Sequence, residues 1–189
     1  MDAFGYVSVI LSVVIGLGLS HLLTGVVDLA KARPRVRFYW VHLVWVALTF
    51  VGHVFLWWTM WNLRLMKSWD FFTFLLLLMG PVLLFASAGF LVPKVEPDKA
   101  IDLRAYFYEN RGGFFGMSAA FTTLMSAENW LLTGRGSPAP VTATFVVWVV
   151  LLGLSAFVKD TRYHAAVALL FVALFLAFIF MFGMRLGAG

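Results

Sequence analysis

The sequence predicts an all-α integral membrane protein, a bundle of six transmembrane helices without a soluble domain. Of the 189 residues, 62% are hydrophobic and 12% are charged. A soluble domain is about half apolar and about a quarter charged, and a globule of this size cannot hide so much apolar surface from water. Six segments are also long and apolar enough to cross a bilayer. These observations exclude a soluble enzyme, a disordered chain and a nucleic-acid-binding module.

The predicted spans are the runs that lack Lys, Arg, Asp and Glu. A helix needs about 20 apolar residues to cross the bilayer, and it satisfies its own backbone hydrogen bonds. The runs are too long and too uniformly apolar for the alternating strands of a membrane barrel, which have about ten residues. In one domain over 1–189 we expect spans over residues 3–27, 38–63, 71–93, 112–134, 136–158 and 163–184; only the fourth contains a charge, Glu128.

Short motifs recur between the two halves of the chain. The letters LLTG end spans 1 and 4, and VWV occurs in spans 2 and 5. Such echoes are typical of an inverted repeat with three spans in each half, although short matches also arise by chance in a chain rich in Leu and Val. Gly80-Pro81 in the middle of span 3 predicts a kink that has no counterpart in span 6.

Small residues at helical spacing predict that spans 1 and 4 lie at the centre of the bundle. Helices in lipid associate where small residues let their backbones approach closely. We therefore expect the two stripes to face each other, either along a pathway or in simple close packing. The stripes are Ser8, Ser12, Gly16, Ser20 and Thr24 in span 1, and Ser118, Thr122 and Ser126, followed by Asn129, in span 4.

The connections on one side of the bundle carry most of the positive charge. Ten of the 14 Lys and Arg residues lie in the loops after spans 1, 3 and 5. The positive-inside rule then predicts that these loops are cytoplasmic and that both termini lie outside, in a bacterial inner membrane. The tryptophans near the opposite boundary fit an interfacial belt better than a ligand cage. They are Trp57, Trp58, Trp61, Trp69 and Trp130.

Two features of these loops predict contact with lipid. The connection after span 3 predicts an amphipathic helix over 98–110 on the cytoplasmic leaflet, with Asp98 as its N-cap and with Leu103 and Phe107 on its apolar face. The loop after span 1 is dense in positive charge and is expected to attract anionic headgroups. Its basic residues are Lys31, Arg33, Arg35 and Arg37.

Ionisable residues within spans mark function by default. At ~1.5 Å per residue from the cytoplasmic boundary, Glu128 lies about 24 Å deep and His53 about 22 Å deep. We expect both to face the interior and to approach each other directly or through one water, with Asn129 nearby, because an ionisable group in acyl chains costs roughly 2.5–3.5 kcal/mol. The structural alternative is an interhelical hydrogen bond, or a glutamate that reaches the headgroups.

A second polar group is expected near the cytoplasmic side. His21, His42 and His164 fall near this boundary, and Asp28 follows His21 on the same helix face. His42 and His164 are interpreted as a boundary cluster. The two polar groups and the stripes between them suit a path for protons or small ions. The predicted pathway residues are His53, Glu128, Asn129, His21, Asp28, Ser20, Thr24, Ser118, Thr122 and Ser126.

The leading functional hypothesis is a small channel or transporter for protons, small ions or a small solute. The alternatives are a non-catalytic accessory or structural subunit of a larger membrane complex, and a haem- or quinone-binding electron-transfer protein in which His21 and His42 ligate one iron. No catalytic motif is present, and there is no cysteine, so we expect no enzyme activity, metal or cofactor. The expected partners are the lipid bilayer and further copies or other membrane subunits, without nucleic acid.

Overall fold

The computed structural model describes residues 2–66, 68–134 and 136–183, without the side chains of residues 129, 133, 182 and 183. Six long helices follow one another: α1 (Ala3–Lys31), α2 (Trp40–Thr59), α3 (Phe71–Leu91), α4 (Leu103–Thr133), α5 (Ala139–Phe157) and α6 (Thr161–Phe178). The shorter elements are 3-10 helices at Arg33–Arg35 and Met60–Leu65, strands β1 (Val36–Arg37) and β2 (Ile101–Asp102), and a π-helical turn at Ile179–Gly183.

Five of the described helices are long and apolar enough to cross a membrane. They are Ala3–Lys31, Trp40–Leu65, Phe71–Leu91, Ala139–Phe157 and Thr161–Met181. This confirms the predicted all-α membrane class. Helix α4 has 31 residues, but it carries Arg104, Glu109, Arg111 and Glu128 and is less apolar than the others. A sixth span therefore stays a prediction, as does the inverted repeat.

The predicted interfacial helix over 98–110 is not a separate element. Residues 103–133 form one continuous helix, whose N-cap is Asp102 and not Asp98. Asp102 accepts from the backbone N–H groups of Arg104 and Ala105 at 2.9 and 3.0 Å. Asp98 has φ 62°, in the left-handed region, whereas an N-cap residue has extended backbone. Gly113 lies within this continuous helix. The ring of Phe90 packs directly on the α4 backbone at this glycine.

Aspartates begin four of the six long helices. Asp2, Asp70 and Asp160 each accept a hydrogen bond from the backbone N–H three residues later, at 2.7, 2.9 and 2.7 Å. Together with Asp102 they satisfy N–H groups that would otherwise lack a partner at the helix start. Their spacing along the chain therefore fixes where α1, α3, α4 and α6 begin.

The bundle has two ends that differ in structure. At the first, called the strand end, β1 and β2 pair in parallel, with Val36 opposite Ile101 and Arg37 opposite Asp102. The second, called the connector end, holds the short helix Met60–Leu65 between α2 and α3. Helix α4 packs between α3 and α5, while α1 packs mainly on α3 and α2, and α6 mainly on α2.

The predicted small-residue stripe of span 1 is not the buried face of α1, because Ser8 and Ser12 are only half-buried and the rest of the stripe is exposed. A side chain at Gly16 would meet no atom within 4 Å, and Ser20 and Thr24 are exposed. The buried face of α1 is formed instead by Leu11, Ile15, Gly18, Leu22 and Gly25, among others. The expectation that the stripe packs against span 4 is therefore wrong. Small size permits close approach but does not by itself decide which side of the helix is buried.

Two other glycines of α1 make the close contacts. A Cβ atom at Gly18 would lie 2.1 Å from Nε2 of His53 on α2, and one at Gly25 would lie 2.0 Å from a methyl group of Val92, after α3. Any larger residue would push these elements apart. The two glycines are seven residues apart and so lie on one helix face.

Candidate functional site

A large cavity opens at the connector end. Its volume is about 750 Å³, which is within the range of small-molecule sites, roughly 300–1,000 Å³. Helices α1 to α4 and the connector all contribute to its wall, for example through Leu11, Asn62, Pro81 and Glu128. Among the described lining residues, Glu128 is the only ionisable one.

Glu128 reaches this cavity because of its register on α4. Met125, Glu128 and Leu132 are three and four residues apart, so they share one helix face, and all three line the cavity. Across from them, Gly80 gives α3 the room to accept the end of the Met125 side chain, since a Cβ atom there would lie 2.9 Å from it. The glutamate is therefore held at the α3–α4 contact.

The described part of the chain does not neutralise Glu128. Its ion pairs all lie elsewhere: Lys31 with Asp28, Arg37 with Asp102, and Lys99 with Glu96. Polar side chains in the connector and next to it line the same cavity, among them Thr59, Asn62 and Ser68. Pro81 has no N–H group, so the carbonyl of Leu77 in the cavity wall lacks its usual helix donor. The cavity thus offers a carboxyl group and several neutral acceptors.

Two smaller cavities continue from this one. The second, of about 260 Å³, shares Leu56, Thr59 and Met125 with the first. The third, of about 90 Å³, shares walls with the second, including Gly52 and Phe121. The three form a row between α2 and α4 that narrows away from the connector end. We call them the first, second and third cavities.

The row ends at a layer of aromatic rings. The ring of Trp45 lies 5.5 Å from Phe114, 5.0 Å from Phe115 and 5.2 Å from Phe171, measured between centroids. These four residues, called the aromatic layer, are all at most 8% exposed. Trp45, Phe114 and Phe171 of this layer line the third cavity, and Phe115 packs against Phe107 and His164 on the other side of the layer, towards the strand end. The layer therefore separates the cavities from the strand end.

The predicted pair of His53 and Glu128 does not form. Nδ1 of His53 lies 2.8 Å from the carbonyl oxygen of Thr49, and its Nε2 faces Gly18 without a hydrogen-bond partner. No hydrogen bond or ion pair joins His53 to Glu128 within the described residues. His53 points towards α1, and an estimate of depth does not determine helix rotation. The side chain of Asn129 lies outside the described part of the structure.

His42 and His164 are brought together at the strand end, around the ring of Phe107. Their centroids lie 6.3 and 5.2 Å from that ring. Nε2 of His42 lies 2.7 Å from the carbonyl oxygen of Leu91, the last residue of α3, and Nε2 of His164 lies 2.9 Å from that of Val158, just after α5. Both histidines therefore donate to carbonyl groups that a helix C-terminus leaves without a partner.

The other predicted residues near the strand end lie apart from this cluster. His21 packs its ring against Phe85, at 6.2 Å between centroids, and Asp28 pairs with Lys31 at 3.9 Å. His21 and His42 thus have different aromatic neighbours. Within the described residues, no ring contact or hydrogen bond that would support a shared haem iron joins the two histidines.

The residues of the predicted polar stripe of α4 lie in two different environments. Ser118 and Thr122 line the third cavity, where Thr122 donates to the carbonyl oxygen of Ser118 at 2.8 Å. Ser126 lines none of the three cavities and donates to the carbonyl oxygen of Thr123 at 2.8 Å. Ser20 and Thr24 lie on the exposed face of α1.

The basic loop after α1 is partly engaged by the protein itself. Arg37 pairs with Asp102 at 3.2 Å, and Nη1 of Arg35 donates to the carbonyl oxygen of Glu96 at 3.2 Å. Lys31 pairs with Asp28, while Arg33 is exposed. These contacts hold β1 beside β2, and contact with headgroups stays a prediction.

Sequence reasoning missed part of the site. Gly52, Thr59 and Asn62 line the cavities, but they sit in or next to an apolar run where nothing marks a face. Gly52, beside His53, was the available signal, because a glycine within a helix leaves space. Comparison with known proteins finds no matching family model, no similar curated protein and no matching solved structure.

Proposed function

We propose that this protein is a small membrane transporter that takes up a proton or a cation at Glu128 from the connector end. One observation carries the proposal: a cavity of about 750 Å³ holds a carboxyl group to which no described residue supplies a counter-charge. An ionisable group within a membrane protein is costly unless it is paired, protonated or in contact with water, and it commonly lies on a substrate or ion path.

A transporter explains the geometry better than an open channel does. We take the buried aromatic layer to block the path from the third cavity to the strand end, which favours a transporter over an open channel. Transport then requires a second state in which the layer separates, as in alternating access. The predicted spans would place the site in a six-helix bundle in which α4 also crosses the membrane.

The orientation belongs to the same proposal. From the excess of Lys and Arg at the strand end we infer that this end faces the cytoplasm of a bacterial cell and that the connector end faces outside. A reporter that is active only in the cytoplasm should then be silent when fused after residue 189, and strong activity would reverse the direction of uptake.

Charge movement across liposomes tests the transport proposal. We expect wild-type protein in proteoliposomes to give a transient current on a solid-supported membrane after a jump in pH or in tetramethylammonium concentration. Glu128→Gln should abolish this current, because the amide has nearly the same shape but cannot bind a proton or a cation. Glu109→Gln, an exposed glutamate on the same helix, is the matched control and should retain the current.

The accessory-subunit hypothesis has one observation in its favour. The exposed face of α1 carries Gly16, Ser20 and Thr24, and small residues of this kind allow another helix to approach closely. If folded wild-type protein gives no current in any of these jumps, transport by this chain alone is refuted and a subunit role is favoured.

A further inference from the structure

The character of the wall changes along the row of cavities. The first cavity contains Glu128 together with neutral polar groups. The second is lined mostly by aromatic rings, including Phe55, Phe121, Phe145 and Trp148, and Thr59 at the junction is its one polar side chain among the described residues. The carboxyl group of Glu128 thus belongs to the first cavity, three residues along α4 from Met125, which lines both the first and the second cavity.

The second cavity has the size of an organic group. An engineered cavity of about 150 Å³ takes up one benzene molecule, and this one measures about 260 Å³. The ring of Trp148 lies 5.7 Å from Phe145 and 5.8 Å from Phe175, both edge to face. Such walls suit an aromatic or branched apolar group, whereas an inorganic ion gains little from them.

We propose that the site binds an amphipathic cation, with a substituted ammonium group beside Glu128 in the first cavity and an apolar body in the second. This deepens the proposed function and rests on it. A neutral apolar molecule would bring no counter-charge to Glu128, which has none from the described residues, and a small inorganic cation would leave the second cavity empty. An ammonium group on an apolar body uses both, and it gains further from the faces of nearby rings.

Gly52 offers a way to close the second cavity selectively. It lines both the second and the third cavity, and a Cβ atom there would meet no other atom within 4 Å. A leucine at this position therefore occupies the free space before it displaces a neighbour. Gly116 on α4 also has open space around its Cβ position, but it lines none of the three cavities, so Gly116→Leu is the matched control.

Calorimetric titration of the full chain in detergent micelles, with protein-free micelles as the blank, tests the proposal. The probes are benzyltrimethylammonium, tetramethylammonium, which lacks the ring, and benzyl alcohol, which lacks the charge. We expect wild-type protein to bind benzyltrimethylammonium at least tenfold more tightly than either of the others. Gly52→Leu should reduce this affinity to that for tetramethylammonium, Glu128→Gln to that for benzyl alcohol, and Gly116→Leu should leave it unchanged.

Two results would overturn the inference. If wild-type protein binds tetramethylammonium or benzyl alcohol as tightly as benzyltrimethylammonium, the two cavities do not act together. If Gly52→Leu folds and keeps the full affinity, the second cavity is not used. A current that depends on Glu128, without binding of benzyltrimethylammonium, would refute only this inference. If benzyltrimethylammonium binds as expected but Glu128→Gln leaves the current intact, the transport proposal is refuted, whereas the proposed binding site is retained.

Discussion

At the strand end, the rings of Phe107, Phe115 and His164 pack against one another with centroids 5.2–6.0 Å apart, whereas at the connector end α2 and α4 line a row of cavities. The same helices form both halves. The difference lies in how the inward-facing side chains pack: at the strand end the rings fill the space, whereas in the connector half the rings, together with Gly52 and Pro81, line space that is left open. The half at the strand end is thus a packed core and the half at the connector end holds the cavities, with the aromatic layer between them.

The largest expected effect comes from breaking the aromatic layer. Trp45→Ala should lower the free energy of unfolding by about 3–5 kcal/mol, because it removes a 2%-exposed indole that touches three rings. Trp57→Ala, at an indole that is 54% exposed, is the control and should change stability by less than about 1 kcal/mol. Thermal unfolding in detergent measures both. Equal effects of the two substitutions would mean that Trp45 does not close a packed core.

A smaller effect is expected from adding volume to each half. Gly25→Leu should destabilise the protein by about 1–3 kcal/mol, because the new side chain meets the short and stiff Val92 at the strand end. Gly52→Leu should instead be neutral or stabilising by up to about 1 kcal/mol, since the space is free and leucine favours a helix more than glycine does. Equilibrium unfolding of the two variants under one set of conditions gives the comparison.

The opposite outcome would also be informative. If Gly52→Leu destabilises as much as Gly25→Leu, the connector half is packed in solution and the cavity row is not available to a ligand. Gly16→Leu provides a reference for leucine on the exposed face of α1, where nothing lies within 4 Å.

The fold class could be predicted from composition and charge-free runs, because hydrocarbon demands long apolar helices whatever their packing. The rotation of each helix about its own axis could not be predicted from the sequence. His53 and Glu128 are expected to face each other, yet one faces Gly18 and the other lines the first cavity. In lipid an exposed Leu or Val carries no penalty, so the apolar pattern of α1 does not distinguish its buried face from its exposed one. Of the predicted pathway residues, Glu128 therefore lines the first cavity and Ser118 and Thr122 line the third, whereas the residues across the first cavity were missed.

The smallest effects are expected at two helix starts, where Asp102 at the strand end can be compared with Asp70 at the connector end. Hydrogen bonds from the backbone N–H groups of Ala105 and Arg104, together with the charge of Arg37, hold the pKa of Asp102 below its ordinary value of 3.8. For Asp70, hydrogen bonds from the backbone and the hydroxyl group of Thr73 lower the pKa. A lowered folded-state pKa means that each carboxylate contributes stability above its unfolded pKa, and that this contribution is lost as the pH falls through the folded-state pKa.

Asparagine retains an N-cap acceptor and removes only the charge, so Asp102→Asn and Asp70→Asn should each lower the melting temperature slightly at pH 7 and not at all once the pH has fallen below the lowered pKa. The two variants should differ in how their melting temperatures respond to salt. The ion pair of Asp102 with Arg37 spans 3.2 Å between exposed side chains and is screened, whereas the hydrogen bonds of Asp70 to Thr73 are not. At pH 7, raising the salt concentration should therefore reduce the difference between wild type and Asp102→Asn more than that for Asp70→Asn. If both differences respond equally to salt, the pairing of Arg37 with Asp102 does not hold the strand end together.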